Sequence, residues 1–597
     1  MPTGGGTRLW PPTTTTYTDH NADGSKMPEP ARDVVQIRRR ILELENELYA
    51  WKTRHNSLIL PGRLPADVLF QIFRYVVAAC MGEWCQKPLS WIHVTHVCSH
   101  WRLVALECVA LWSQVSFFHP GCTKAMLQRS RDAPLSVSFV RKESYRHNEM
   151  LENILAQIQR LRSLEIKEDD GNRLAFGSIL AKLTKATAPI LEDLSLTKVT
   201  DRYEYEIPVF PEGWAPSLRR LVLTRFRIPS WSNLPLGPSL TTVDLHQSPL
   251  NRGIARPTPV LFFGVLRRMP LLRSLSITSL LPVKGSGYKE LDTPIQLCSL
   301  CPALRRLYLC DSARALNNLA KSVHFPKRLQ FMIAFKGDFT YVALSTCIDH
   351  LRGAWEVLQT GVQALTSDEC HTHWHPFLGR GHQFTFSFDP EKLGGYDSDF
   401  SVTFKDPDLS TGEIVLAFRT ALDLSSLQAI HIHRSTSMTT STWKRVFSNL
   451  QALHTAGFWC SDVSSFVRAL HDTTAGRVNA GDSTSVPGLG FPALRAMDFQ
   501  ESEWALKGAS YRFLRAAVNA WPSSRPPTRL DILMCINICK EDVKILQELS
   551  PKLQVDWDDH AYYPSEDPDL HPKIVSSEDE EDEEDDWEED EEDSSSD

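Results

Sequence analysis

The apolar residues between positions 34 and 58 recur at alternating steps of three and four residues, the spacing of one helix face. Charged residues fill the positions between them. The pattern predicts an amphipathic heptad helix within residues 31–60, with an apolar stripe about 37 Å long, and Pro61 and Gly62 end it. We expect the stripe to pack on the chain's own body, with self-pairing as a coiled coil as the alternative. The stripe consists of Val34, Ile37, Ile41, Leu44, Leu48, Trp51, His55 and Leu58.

A second pattern, the template LxxLxL, recurs after residue 150. It begins at residues 161, 191, 218, 240, 272 and 304, and again at 427 and 494. The last two apolar residues of each copy alternate, so they lie on one face of a short strand, and apolar helix-like segments precede several copies. One such unit cannot bury its face alone, so neighbouring units must stack.

The repeat predicts an α+β or α/β fold, an irregular leucine-rich-repeat-like solenoid over residues 119–557 with strands lining its concave face. The register is lost between 335 and 425. There "HQFTFSFDP" and "SDFSVTFKD" alternate like strands, which fits either a hairpin insertion or degenerate repeats.

Strand alternation also predicts which side chains of the repeat point outward. The candidates for a target-binding surface are Arg220, Asp244, Arg306 and Tyr308. Tyr308 and Arg306 are of the residue types enriched at binding hot spots, and we expect both to be exposed. Their mixed charge favours a protein target over a nucleic acid. The alternative is that targets bind to loops or to the irregular C-terminal half.

Two short apolar segments, residues 63–77 and 91–117, lie between the heptad helix and the repeats. Both show helical spacing, and Pro65 suits a first helical turn. A unit of fewer than about 60 residues is marginal by itself, so its surplus apolar surface indicates a neighbour. The candidate docking residues are Leu64, Pro65, Leu69, Ile72, Phe73, Val97, Cys98, Trp101 and Trp112.

These segments carry a family resemblance. "LPADVLFQIFRYV", "VCSHWRLVAL" and "LWSQV" resemble the F-box motif, here over residues 61–118. The segment "RSRDAPLSVSF" and the heptad helix resemble their counterparts in the expanded families of fungal F-box proteins. The sequence departs from the motif at Val109, often Pro in the family, and in the long connection "AACMGEWCQKPLS".

The resemblance implies a substrate receptor that performs no chemistry of its own. F-box motifs bind the Skp adaptor of a cullin-RING ubiquitin ligase, and the nine docking residues match the family's contact positions. The solenoid would then recruit an unknown target protein and hold it near the ubiquitin carrier. A non-ligase scaffold, or a chaperone-like protein that uses the solenoid and an acidic tail, is the alternative.

The charge distribution separates the tail from the rest of the chain. Sixteen acidic residues lie between Glu578 and Asp597, and without them the net charge changes from -9 to +7. We expect residues 1–30, rich in Thr, Pro and Gly, and the acidic tail, residues 558–597, to be disordered. The tail is interpreted as a solubiliser, with contact to a basic partner or the basic body as the alternative.

The remaining sequence features argue against several classes of function. No apolar run is long enough to span a membrane, and thirteen scattered cysteines indicate reduced thiols in the cytoplasm or nucleus. Neither a phosphate-binding loop nor a nucleophile elbow is present, so we expect no catalytic residue and no cofactor. The cluster "CHTHWH" at residues 370–375 has zinc-ligand residue types without a structural zinc spacing, and we expect a surface loop and no metal site. The basic excess is too diffuse to indicate a nucleic acid.

Overall fold

The computed structural model describes residues 29–80, 89–117, 119–140, 145–168, 176–198, 205–247, 256–282, 294–336, 340–371, 380–388, 399–405, 410–434, 438–474, 490–502, 504, 509–521, 527–550, 552–558, 561–563 and 573–575. The chain divides into two compact units. The first comprises residues 1–113 and 127–131, and the second comprises residues 114–126 and 132–597. Predictions about residues 1–28 and 576–597 lie outside the described residues.

The first unit is helical where the structure describes it. Its elements are α1 (Glu29–Leu58), a 3-10 turn (Leu60–Arg63), α2 (Ala66–Cys80), a second 3-10 segment (Ser90–His96), α3 (Ser99–Glu107) and α4 (Val109–Trp112). Helix α1 confirms the predicted heptad helix, but its apolar stripe is exposed along its length. Within the first unit, no described residue covers this stripe, and the expected packing on the chain's own body stays a prediction.

The strands of the second unit are numbered in chain order. They are β1 (Gln114–Val115), β2 (Leu135–Val140), β3 (Leu161–Lys167), β4 (Asp193–Thr197), β5 (Arg220–Thr224), β6 (Thr242–His246), β7 (Ser274–Thr278), β8 (Ile295–Gln296), β9 (Arg306–Asp311), β10 (Val323–His324), β11 (Gln330–Phe335), β12 (Ala364–His371), β13 (Arg380–Ser387), β14 (Phe400–Lys405), β15 (Ala429–His433), β16 (Thr455–Trp459), β17 (Ala496–Gln500), β18 (Arg529–Leu533), β19 (Gln554–Trp557), β20 (Ala561–Tyr563) and β21 (Lys573–Val575).

The remaining helices are α5 (Pro120–Arg129), α6 (Tyr145–Leu155), α7 (Phe176–Leu183), α8 (Pro259–Arg267), α9 (Leu297–Leu300), α10 (Ala313–Ser322), α11 (Tyr341–Ala354), α12 (Thr411–Ala421), α13 (Thr440–Val446), α14 (Ser464–Thr474), α15 (Ala509–Asn519) and α16 (Lys540–Leu549). Short 3-10 turns span Ile158–Arg160, Trp231–Asn233 and Glu356–Gln359. From α10 to α16 each helix packs against the next, as expected when one helix connects each pair of parallel strands.

Within the described ranges, seventeen strands form one mostly parallel sheet. Its pairings run in chain order from β1 to β7, then to β9 and β11, and resume in chain order from β15 to β19. All eight LxxLxL motifs end in a strand of this sheet. The predicted α/β class is thus confirmed, and the arrangement is consistent with a solenoid-like fold.

The register of the sheet explains why the template repeats. Leu164, Leu194, Leu221, Val243, Leu275 and Leu307 are successive register partners. All six are at most 2% exposed. A second buried row runs from Ile166 to Leu309 through the same five pairings. Each of the first six LxxLxL copies thus contributes one residue to each of two continuous apolar rows, and burial along these rows stabilises the stack.

The irregular region between 335 and 425 is an insertion into the sheet. Strand β12 pairs antiparallel with β13, and β13 pairs antiparallel with β14. The insertion joins the two halves of the sheet because β14 pairs parallel with β11 and β12 pairs parallel with β15. Of the two alternatives left open by the sequence, the structure therefore shows the hairpin.

The acidic tail differs from its predicted boundary. Residues 561–563 and 573–575 form a two-stranded antiparallel pair, β20 with β21. Residues 558–575 therefore include regular structure, although we expected disorder from residue 558 onward. The apolar and β-branched residues Ala561, Tyr562, Tyr563, Ile574 and Val575 provide the strand propensity that the acidic composition further along the tail lacks.

Candidate protein interface

Helix capping explains why a cysteine stands three residues before the tryptophan in the segment "CSHW". Cys98 is the N-cap of α3, with extended backbone angles, and its Sγ accepts a hydrogen bond of 3.5 Å from the backbone N–H of Trp101. The cap satisfies one of the backbone donors that a helix start leaves without a partner. It also places Trp101 in the first turn of α3.

Trp101 and His100 hold the segment that precedes α2. The indole Nε1 of Trp101 donates a hydrogen bond of 2.8 Å to the carbonyl oxygen of Pro61. The Nε2 of His100 lies 3.1 Å from the carbonyl oxygen of Leu64. The indole ring packs edge-on against Phe73, with ring centroids 5.4 Å apart. Residues that are distant in the sequence thus form one continuous surface.

Three of the predicted docking residues form the core of this unit instead of its surface. Leu69 and Phe73 are 0% exposed and Trp112 is 2% exposed. The indole N–H of Trp112 donates to the carbonyl oxygen of Ala105 at 2.9 Å, and its ring packs edge-on against Trp91 at 5.2 Å. A small helical unit has few apolar side chains with which to exclude water, so its largest ones turn inward. These three residues shape the surface from beneath in this structure, and the docking role predicted for them stays a prediction.

The other six predicted docking residues reach the surface. Pro65 and Val97 are exposed, and Val97 retains 54% of its accessible surface. Leu64, Ile72, Cys98 and Trp101 are half-buried. These six residues come from the turn before α2, from α2, and from the start of α3, and they offer apolar contact area to a partner.

The same unit exposes further apolar residues that were not among the predicted docking residues. Tyr75 is 76% exposed, Leu103 is 58% exposed and Val68 is 40% exposed. Val68 and Tyr75 are seven residues apart on α2 and therefore lie on one face, opposite the buried positions. That spacing is visible in the sequence and was the available signal. Adjacent exposed apolar side chains are typical of protein-binding surfaces.

The candidate target-binding residues in the sheet have different surroundings from one another. Arg220 and Arg306 are exposed. Asp244 is half-buried, and its Oδ1 lies 2.5 Å from Nε2 of His246. Tyr308 is only 6% exposed, which contradicts its predicted exposure.

The burial of Tyr308 has a structural cause. Its ring packs in a cluster with Cys310, Ala334 and Met332, because β11 pairs alongside β9 and places Met332 directly opposite Tyr308. The burial raises the pKa of the Tyr308 phenol well above its usual value. A partner protein cannot reach this ring in the structure, so Tyr308 is removed from the proposed surface.

The described residues do not cluster into a metal site. Among them, no group of three or more His, Cys, Asp and Glu side chains could hold a metal ion. Most of the "CHTHWH" cluster belongs to residues 372–379, which fall in a gap between described ranges. Within the described ranges, no helix combines the length and the apolar character required to cross a membrane.

Comparison with known proteins supports the assignment of the first unit. A family model described as F-box-like matches residues 62–118. No curated protein matches the chain. The matched span contains α2, α3 and α4 and all nine predicted docking residues, so the chain contains an F-box-like domain.

Proposed function

We propose that this protein is a substrate-receptor subunit of a Skp-cullin-F-box ubiquitin ligase. The observation that carries the proposal is the set of exposed apolar side chains within the F-box-like span, Val97 among them. F-box domains typically bind Skp-type adaptors, and a cullin would join through that adaptor. The protein would be non-catalytic and would act by bringing a target lysine close to the ubiquitin carrier.

The repeat unit is the proposed target-binding region. Its exposed Arg220 and Arg306 lie at the first residues of β5 and β9, and Asp244 adds a carboxylate on β6. We place the protein among leucine-rich-repeat-like F-box proteins of fungal type on the sequence resemblance. Cys108, Cys301, Cys310, Cys347 and Cys535 are buried thiols that form no disulfide, which suits a reducing compartment, and we propose the cytoplasm or nucleus.

The test is co-purification of the adaptor and cullin with Val97→Asp. A charge placed in an apolar interface leaves that charge desolvated and unpaired, which costs at least about 2 kcal/mol, or about 30-fold in affinity. The matched control is Val342→Asp on α11, where the valine is 70% exposed and belongs to the other unit. We expect the Val97 variant to lose both partners and the control to keep them.

Two outcomes would contradict the proposal. In one, the folded Val97 variant retains adaptor and cullin at the wild-type level. In the other, the wild-type protein captures neither partner, and a non-ligase scaffold then becomes the better description. A target search under proteasome inhibition follows only after the first test succeeds.

A further inference from the structure

Helix α1 exposes an apolar stripe that no described residue covers. Ile37, Trp51 and Leu58 retain 59%, 61% and 71% of their accessible surface, and the other apolar members of the heptad stripe are between 47% and 54% exposed. A regular row of large apolar side chains in water is unfavourable. The charges that flank the stripe indicate what covers it.

The heptad positions follow directly from the stripe. Positions a are Val34, Ile41, Leu48 and His55, and positions d are Ile37, Leu44, Trp51 and Leu58. In a coiled coil the residues at e and g border the apolar seam and interact with the partner helix. Positions e are Arg38, Glu45 and Lys52, and positions g are Asp33, Arg40, Glu47 and Arg54.

In a parallel pair of identical helices in register, each g residue faces the e residue five positions later on the partner. The three charged pairings are Asp33 with Arg38, Arg40 with Glu45, and Glu47 with Lys52. Every one of them joins opposite charges, and two-fold symmetry produces each pairing twice. The sign of the g charge changes at each heptad, and the sign of the e charge changes with it.

An antiparallel pair with the same apolar layers brings e residues against e residues. Glu45 would then face Glu45 of the other copy, and Arg38 would face Lys52. All of these contacts join like charges and are unfavourable. The flanking charges therefore select one orientation as well as one kind of partner.

We propose that α1 pairs with α1 of a second copy of this chain as a parallel, in-register coiled coil. The ion pair within the helix between Arg40 and Glu43 is 3.0 Å long, and its side chains are 67% and 54% exposed. Such a pair contributes little and does not compete with the pairing between helices. A parallel arrangement also places His55 against His55, a polar a-position contact of the kind that fixes register at some cost in stability.

The first experiment is sedimentation equilibrium of the full chain, whose monomer mass is 67.6 kDa. We expect twice that mass for the wild type and the monomer mass for Ile41→Asp with Leu44→Asp. The matched control is Leu42→Asp, because Leu42 is 57% exposed but occupies position b, outside the seam. A wild-type monomer or trimer, or dissociation by the control alone, would overturn the proposal.

The second experiment tests the orientation through the charges. One variant reverses the e positions with Arg38→Glu, Glu45→Lys and Lys52→Glu, and a second reverses the g positions with Asp33→Lys, Arg40→Glu and Glu47→Lys. In a parallel pair each variant repels itself, but the two variants attract each other. We expect each to be monomeric alone and the mixture to be dimeric.

An antiparallel dimer would respond differently. Its e residues face e residues, so reversing every e charge changes the sign of both partners and each contact still joins like charges. If the e variant dimerises as well as the wild type, the parallel arrangement is wrong. Adaptor binding by the monomeric variants is measured separately, since their F-box-like surface is unchanged. Failure of the coiled coil is therefore distinguishable from failure of the proposed ligase function.

Discussion

The indole Nε1 of Trp101 lies 2.8 Å from the carbonyl oxygen of Pro61, forty residues earlier in the chain. This bond joins the start of α3 to the 3-10 turn after α1. In that turn the N–H of Gly62 donates to the carbonyl oxygen of Ile59 at 3.1 Å. A side chain at position 62 has no room, because its Cβ would lie 1.8 Å from the carbonyl oxygen of Asn56. The turn at the edge of the candidate docking surface is thus held by the Trp101 hydrogen bond, by the His100 contact with Leu64, and by a glycine at position 62.

Trp101→Phe tests the hydrogen bond separately from the ring packing. Phenylalanine retains an aromatic ring near Phe73 but has no donor for the Pro61 carbonyl, so we expect a loss of about 1 kcal/mol locally. Hydrogen exchange of the Gly62 amide should accelerate about 5-fold. Trp459→Phe, in the other unit, is the control and should leave this amide unchanged. Unchanged exchange in the Trp101 variant would show that the turn is held by other contacts.

Asp311 connects three successive repeats. Its carboxylate is 1% exposed and accepts hydrogen bonds from Arg256 Nη1 at 2.7 Å, from the N–H of Leu281 at 3.2 Å, and from the N–H of Ser312 at 2.8 Å. Arg256 precedes α8 and Leu281 follows β7, so the carboxylate at the end of β9 holds segments that the sequence alone does not bring together.

Asp311→Asn is therefore expected to lower the free energy of unfolding by about 3 kcal/mol, because it leaves the Arg256 guanidinium without its counter-ion. The control is Glu356→Gln, which breaks an ion pair to Lys327 whose side chains are 71% and 63% exposed and should change stability by less than about 0.5 kcal/mol. Denaturant unfolding of the full chain measures both. Equal effects of the two variants would contradict the structural role of Asp311.

The sequence predicted the repeats because their apolar rows depend on identical spacing in each copy. Strands that deviate from the template were missed for identifiable reasons. At β16 the second apolar position of the template is Ala456, 0% exposed, where the template expects leucine. In β11 the spacing is shortened, with Leu329 only two residues before Phe331. Both strands are held by pairing with neighbours on either side, which a single-strand pattern cannot show.

The sequence predicted where the candidate docking surface lies along the chain, but it did not predict which of its side chains are exposed. A helical pattern identifies an apolar face, but the same pattern describes a core position such as Phe73 and a surface position such as Val97. Exposure is decided by the neighbouring helices, as the packing of Trp91 on Trp112 shows. The same limit applies to Tyr308, whose burial depends on β11 pairing beside β9.

The sequence predicted an exposed Tyr308 whose removal would cost little stability. The burial of Tyr308 predicts the opposite, and this can be tested. Tyr308→Ala is now expected to destabilise the protein by about 3–5 kcal/mol, because it leaves a cavity against Cys310 and Met332. Arg306→Ala, two residues earlier and exposed, should cost less than about 0.5 kcal/mol. Thermal unfolding of the two single variants compares them directly. A harmless Tyr308→Ala would mean that the ring is exposed in solution.

A backbone feature marks the ends of several strands and is invisible in the sequence. The residue after the strand adopts a positive φ, between 47° and 64°, at Arg225, Ser279, Arg434, Cys460, Glu501 and Met534. Five of these residues donate their N–H to a carbonyl oxygen at the end of the next strand, at 2.6–3.0 Å. The sixth, Met534, donates to Oδ2 of Asp558 at 2.7 Å. The six positions hold five different residue types, with arginine at two of them, so no sequence motif predicts the turn.

Met534 is the best position at which to measure the cost of this turn. Its side chain is 43% exposed, so removing it sacrifices little packing. A left-handed conformation costs an L-residue about 1–2 kcal/mol, and glycine removes this cost. Glycine also increases the entropy of the unfolded chain, which lowers the free energy of unfolding by about 0.5–1 kcal/mol. Met534→Gly should therefore stabilise the protein by about 0.5–1 kcal/mol and raise its thermal midpoint. Met534→Ala, which keeps the Cβ, should give no such gain. If alanine stabilised as much as glycine, or glycine destabilised, the left-handed turn would not exist at this position in solution.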